Sequence, residues 1–101
     1  MVKISDRLKT AASLIREGAV LADVGTDHGY VPIYLLEQKK IKSAIAMDIN
    51  KGPLERAREH IHLYGMDAYI QTRLSDGVAA LEKGEADSIL TVSYTHLRAH
   101  E

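Results

Sequence analysis

Apolar positions along this chain follow two alternating rhythms. Leu8, Ala11, Ala12 and Ile15 recur at helical spacing. Ser5 can cap that helix, Asp6 faces its positive dipole end, and Gly18 offers a stop, so the spacing predicts a helix over 6–17. AVLADVG, residues 19–25, is an unbroken apolar run closed by glycine, the mark of a strand buried on both faces. In YVPIYLLEQKK, Pro32 suits only a first helical turn. A second helix is therefore expected from about Val31 into the cluster Lys39, Lys40 and Lys42, where cations face the negative dipole end. SAIAMDI, 43–49, is a second buried strand. Gly52 and Pro53 open a third helix, in which Leu54, Ala57, Ile61 and Tyr64 share a face and Gly65 is the stop. AYIQTRL, 68–74, reads as a third strand, SDGVAALEKGE as a short helix, and ADSILTV, 86–92, as the start of a fourth strand.

This alternation predicts an α/β fold, a parallel sheet with helices on both faces and right-handed crossovers. After the fourth strand the pattern fails: SYTHLRAHE has no apolar period. His96 and His100 stand four apart with Glu101 adjacent, but Leu97 occupies the place where a zinc-protease motif needs glutamate, and no third ligand is in sight. No metal site is expected. VSYTHLRAHE, residues 92–101, instead resembles residue for residue the translation of a sequencing adapter. The expected division is therefore 1–91 as the N-terminal half of a domain, broken off after the fourth parallel strand, and 92–101 as a non-native tail.

Composition narrows the classes. A length of 101 residues suits one small domain. The net charge of -1 gives no global field for nucleic acid, and it is unchanged without residues 92–101, which hold one arginine and one glutamate. Cysteine is absent, which excludes disulfides and thiol chemistry. No apolar run approaches the roughly 20 residues that span a bilayer, and MVKISDRLKT lacks an apolar signal core. The expectation is a soluble, cytoplasmic protein with no membrane partner; composition leaves its oligomeric state open.

Chemistry concentrates in LADVGTDHGYVP, residues 21–32. In a doubly wound sheet, ligands sit beyond the carboxyl ends of the strands. The turn GTDHG has too few glycines for the dinucleotide fingerprint GxGxxG. Gly25 would let the backbone approach a ligand, and Gly29 would relieve crowding where the helix begins. Asp23 precedes the turn; Asp48, beside Ile49, ends the second strand 19 residues after Gly29; Asp76, before Gly77, follows the third. An acid at the second strand end can accept ribose hydroxyls. A phosphate site would want cations and bare amides. Three acids suit an uncharged ribose and a cationic ligand, which favours S-adenosyl-L-methionine, a sulfonium and ammonium compound without phosphate. Each acid has a bland alternative as a turn or helix cap. His28 could touch a ligand or make a local hydrogen bond. The lysine cluster reads as a solvated helix end, Tyr30 and Tyr34 as packing residues.

Taken together, ISDRLKTAASLI, DVGTDHGYVP, DINKGP and RLSDG resemble the TrmK family, bacterial tRNA (adenine(22)-N(1))-methyltransferases. The likeness runs over about residues 4–91. It implies a Rossmann-like class I methyltransferase fold, S-adenosyl-L-methionine as cofactor and tRNA as partner. By position it implies cofactor contacts at Asp23, Gly25, Thr26, Asp27, His28, Gly29, Asp48, Ile49, Asp76 and Gly77. Asp27 is the candidate for orienting the adenine or taking its proton, and Arg7, in SDRL, is a second candidate near the active site. The family's glycine-rich loop after the fourth strand is replaced here by VSYTHLRAHE, so this chain alone is expected to be inactive. Rival readings are a methyltransferase for another RNA or a small molecule, a non-catalytic nucleotide-binding domain of the same fold, and, less in keeping with the missing GxGxxG, an NAD-linked reductase.

Overall fold

In a computed structural model, residues 2–26 and 28–91 are described. Ser5 opens the first helix, α1 (Asp6–Ser13), by accepting the Leu8 amide on its hydroxyl at 3.2 Å. The helix stops four residues short of its predicted end at 17. Lys40 is the reason: its ammonium donates to the carbonyls of Ala12 (3.3 Å) and Ser13 (3.0 Å), which another helical turn would need. Leu14 and Ile15 close the end with tighter bonds to Ala11 and Ala12, both 3.1 Å. Lys40 thus neutralises the end of α1, not the end of the helix that precedes it in sequence.

The strands and helices then alternate as β1 (Ala19–Val24), α2 (Tyr30–Glu37), β2 (Ile41–Asp48), α3 (Lys51–Leu63), β3 (Ile70–Leu74) and β4 (Ser88–Leu90). All pairings are parallel, in the order β3-β2-β1-β4. The chain steps outward from β1 to β3 and then returns to the other side of β1. That reversal of direction creates the crevice at which open α/β sheets bind ligands.

The three helices pack on one face of the sheet. Ala19, Leu21, Ala44, Ala46 and Ile70 meet Ala12, Val31, Ile33, Leu35, Ala57 and Ile61 there, all buried. The expectation of helices on both faces is not met among the described residues. Ala22, Ile45 and Met47 on the opposite face are covered by Ala80, Leu81 and Ala86 of the segment between β3 and β4.

That segment is a chain of turns and not the short helix expected. The Ser75 hydroxyl donates to the Gly77 carbonyl (2.8 Å) and accepts the Ala80 amide (3.0 Å). Gly77 is left-handed at φ 59, and Arg73 takes the Ala80 carbonyl at 2.9 Å. Side chains thus occupy the backbone groups that a helix would pair internally. β4 is three residues long, not the run from 86 expected. Asp87, just before it, holds the Val20 amide at 2.9 Å through its carboxylate and donates its own amide to the Val20 carbonyl at 3.0 Å. No helix of the described residues is long and apolar enough to cross a membrane. The tail, 92–101, lies outside the described residues.

Candidate functional site

Because β3, β2 and β1 are adjacent in that order, their carboxyl ends lie side by side. The fold therefore brings Asp23, Asp48 and Asp76 to one edge of the sheet. Their surroundings differ. Asp23 is buried (1% exposed), and its Oδ2 accepts the Thr26 hydroxyl at 2.8 Å; Thr26 is itself fully buried. This is the turn-capping geometry considered for Asp23, built from inside the fold. Asp48 is half-buried at the last position of β2, with Oδ1 accepting the Asn50 amide at 2.9 Å. That bond guides the chain into α3, whose N-cap Asn50 makes no side-chain cap bond. Ile49 beside it is 59% exposed. Asp76 and Gly77 are exposed in the turns after β3. The edge is tied together by the Ser75 amide, which donates to the Asp48 carbonyl at 2.8 Å.

The turn after β1 passes through the left-handed region at three described residues. Gly25 has φ 74, His28 φ 58 and Gly29 φ 73. A Cβ on Gly29 would meet Ala57 Cβ at 3.5 Å and Ile61 at 3.6 Å, ordinary contact distances. Glycine is therefore demanded there by the left-handed backbone and not by crowding, which corrects the expectation from sequence. The amides of Gly25 (2.9 Å) and Thr26 (2.8 Å) both donate to one acceptor, the Met47 carbonyl on β2. A phosphate-cradling loop aims such amides at its ligand; here they are committed to the neighbouring strand.

Asp27 lies outside the described residues. Arg7 is exposed in the first turn of α1. His28 stacks on Tyr30 (ring centroids 5.2 Å apart) and lies 5.3 Å from His60, which also stacks on Tyr30 at 5.2 Å. His60, on α3, did not stand out in the sequence. The signal was its place between Ala57 and Ile61, a polar residue bordering the stripe that α3 buries. Arg73 and Glu85 were also missed. They pair through two bonds of 2.7 Å across 12 residues, which spacing alone does not disclose. The ion pair, with the amide of Glu82 at 2.9 Å, lowers the Glu85 carboxyl to about 2. Among the described residues no group of three histidine or acidic side chains could hold a metal.

A parallel sheet whose fourth strand returns to the far side of β1, a left-handed turn after β1 and acids at successive strand ends define a Rossmann-like domain. The chain belongs to the methyltransferase domain family, whose match covers residues 4–93. The more specific likeness, to the TrmK family, is borne out by individual relatives. The tRNA (adenine(22)-N(1))-methyltransferase of Bacillus subtilis is 42% identical over 88 residues, covering 87% of this chain and 37% of that protein. The crystal structure of the B. subtilis M1A22 tRNA methyltransferase TrmK superposes with a TM-score of 0.87 at 41% identity, covering 90% of this chain and 39% of that one. M. capricolum TrmK in complex with S-adenosyl-homocysteine gives 0.81 at 38% identity, covering 87% and 40%. The chain thus spans about two-fifths of the length of these relatives.

Proposed function

We propose that this chain forms the cofactor side of an S-adenosyl-L-methionine-dependent methyltransferase that modifies N1 of an adenine in tRNA, in the cytoplasm. The observation that carries the cofactor reading is the double acceptance by the Met47 carbonyl. With the amides of Gly25 and Thr26 turned inward, the turn offers little to a pyrophosphate, so the edge suits a nucleoside without one. This speaks against the NAD-linked reading. The TrmK relatives and the S-adenosyl-homocysteine complex support the rest.

The residues divide the work as follows. Asp48 keeps one carboxylate oxygen for the ribose hydroxyls while the other holds Asn50. Ile49 gives the adenine ring of the cofactor an apolar surface. Asp76 and Gly77 border the base from β3. Asp23 and Thr26 shape the turn from below, with Gly25, His28 and Gly29 as its rim. S-adenosyl-L-methionine supplies a methyl group on a cationic sulfur, and the protein's contribution is chiefly to align it with the attacking nitrogen. Attack by the N1 lone pair leaves the adenine positively charged. Asp27 is the candidate to orient that adenine or to take up a proton from its exocyclic amine, and Arg7 is a second candidate near the active site. In the domain reading, residues 1–91 are half of the methyltransferase and 92–101 a non-native tail; resequencing the gene across residue 92 tests that division.

Calorimetric titration of the chain with S-adenosyl-homocysteine and, separately, NADH tests the cofactor. Binding of the first and not the second is expected, and the reverse preference would defeat the proposal. Asp27→Ala in a full-length homologue should lower turnover on tRNA while cofactor binding stays normal.

A further inference from the structure

His28 is a non-glycine residue in the left-handed region, followed directly by a second left-handed residue, Gly29. Such a conformation is unfavourable for a residue with a Cβ and persists only where its surroundings enforce it. The surroundings come from one helix. Ala57 and Ile61 of α3 lie against Gly29, and His60 Nδ1 lies 3.0 Å from the His28 carbonyl oxygen. A carbonyl only accepts, so the Nδ1 of His60 carries the proton. The same ring stacks on Tyr30, at the start of α2, and tilts against His28. The turn is thereby fixed to α3, the helix that begins at the ribose-side acid.

We infer that His60 is a positioning residue for the cofactor turn: its Nδ1–H donates to the His28 carbonyl and holds His28–Gly29 in the left-handed conformation. The consequence for binding rests on the cofactor reading above; the consequence for the turn does not. A residue that merely packed would act through its ring. One that positions acts through the hydrogen bond, and two substitutions separate these. His60→Phe keeps a ring of similar size and loses the donor. His60→Asn loses the ring and keeps an N–H close to the Nδ1 position.

The test uses the 101-residue chain, read by calorimetry with S-adenosyl-homocysteine and by amide exchange. His60→Phe should weaken binding roughly five- to tenfold, the worth of one lost hydrogen bond. It should speed exchange of the Gly25 and Thr26 amides by a similar factor, with the core-strand amides of Ala22 and Ile45 unchanged. His60→Asn should restore both within about twofold. Equal damage from the two substitutions assigns the effect to ring packing and overturns the inference, as does wild-type behaviour of His60→Phe. Should His60→Phe fail to fold, nitrogen-15 spectra of the unaltered chain decide: a proton on His60 Nδ1 supports the inference, and a bare Nδ1 with the proton on Nε2 overturns it. If the unaltered chain binds no S-adenosyl-homocysteine, the cofactor reading falls while exchange at the turn still decides the role of His60.

Discussion

Two aspartates that look alike in the sequence have opposite surroundings. Asp23 shares a strand face with Ala19 and Leu21 and is turned into the fold, where the Thr26 hydroxyl reaches it. Asp48 ends its strand half-buried with one oxygen engaged. Thr26→Val should therefore cost stability, about 1–3 kcal/mol, because it removes a donor from a buried carboxylate while preserving shape; urea unfolding monitored by circular dichroism measures it. Asp48→Ala should cost less stability but weaken S-adenosyl-homocysteine about tenfold, the loss of a charge-assisted pair with the ribose hydroxyls. Undiminished affinity in that variant would remove Asp48 from the site. The acids' arrival at strand ends was readable from where each apolar run stops. Their division of labour was readable only through the alternation of strand faces, which puts Leu21 and Asp23 on one side. The role of His60 was not readable, because a helix-to-turn contact over 32 residues leaves no periodic trace.

At the level of elements, the sequence pattern located every strand and every helix of the helical face, since burial imposes a period there. It failed where side chains override the backbone. α1 ends early because Lys40, 27 residues away, takes its last carbonyls. The stretch after β3 has helix-forming residues, yet Ser75, Gly77 and Arg73 divert its backbone groups into turns. The Arg73–Glu85 pair then straps this stretch across the second face of the sheet. Its dependence on pH has a definite sign. The Glu85 carboxyl is lowered to about 2, first by the hydrogen bonds from Arg73, then by the Glu82 amide. A carboxyl depressed in the folded chain contributes its stabilisation in full above the ordinary carboxylate range, and loses it as pH falls through that range towards 2. The turns between β3 and β4 should keep their chemical shifts from pH 7 to about 5 and change together below about 4. In Arg73→Ala, the Glu85 titration should move up towards ordinary carboxylate behaviour, and the segment should become the first site of limited proteolysis. A Glu85 midpoint unmoved by that substitution would show that the strap is not an ion pair in solution.

Over the whole molecule, a net charge of -1 gives little long-range attraction for any ligand, so electrostatic preference must arise locally. The sheet supplies it by carrying acids at three adjacent strand ends on one edge. On the proposed cofactor reading, this arrangement should discriminate by charge between cofactor and product. S-adenosyl-L-methionine carries one more positive charge than S-adenosyl-homocysteine, at the sulfur, and the two are otherwise nearly the same shape. Salt screens charges over about 10 Å at 0.1 M and about 3 Å at 1 M. Raising salt across that range should weaken S-adenosyl-L-methionine by a few-fold, since partly exposed charge pairs are worth about 1 kcal/mol or less. S-adenosyl-homocysteine should shift much less, because apolar contact and ribose hydrogen bonds are insensitive to screening. The informative quantity is the ratio of the two affinities, measured by calorimetry on one preparation; it cancels any general effect of salt on the fold. A ratio that falls with salt assigns the acidic edge to the sulfonium. A constant ratio, with both ligands bound, would mean that the acids serve only the ribose and the turn, and that the site is indifferent to the charge lost when the methyl leaves.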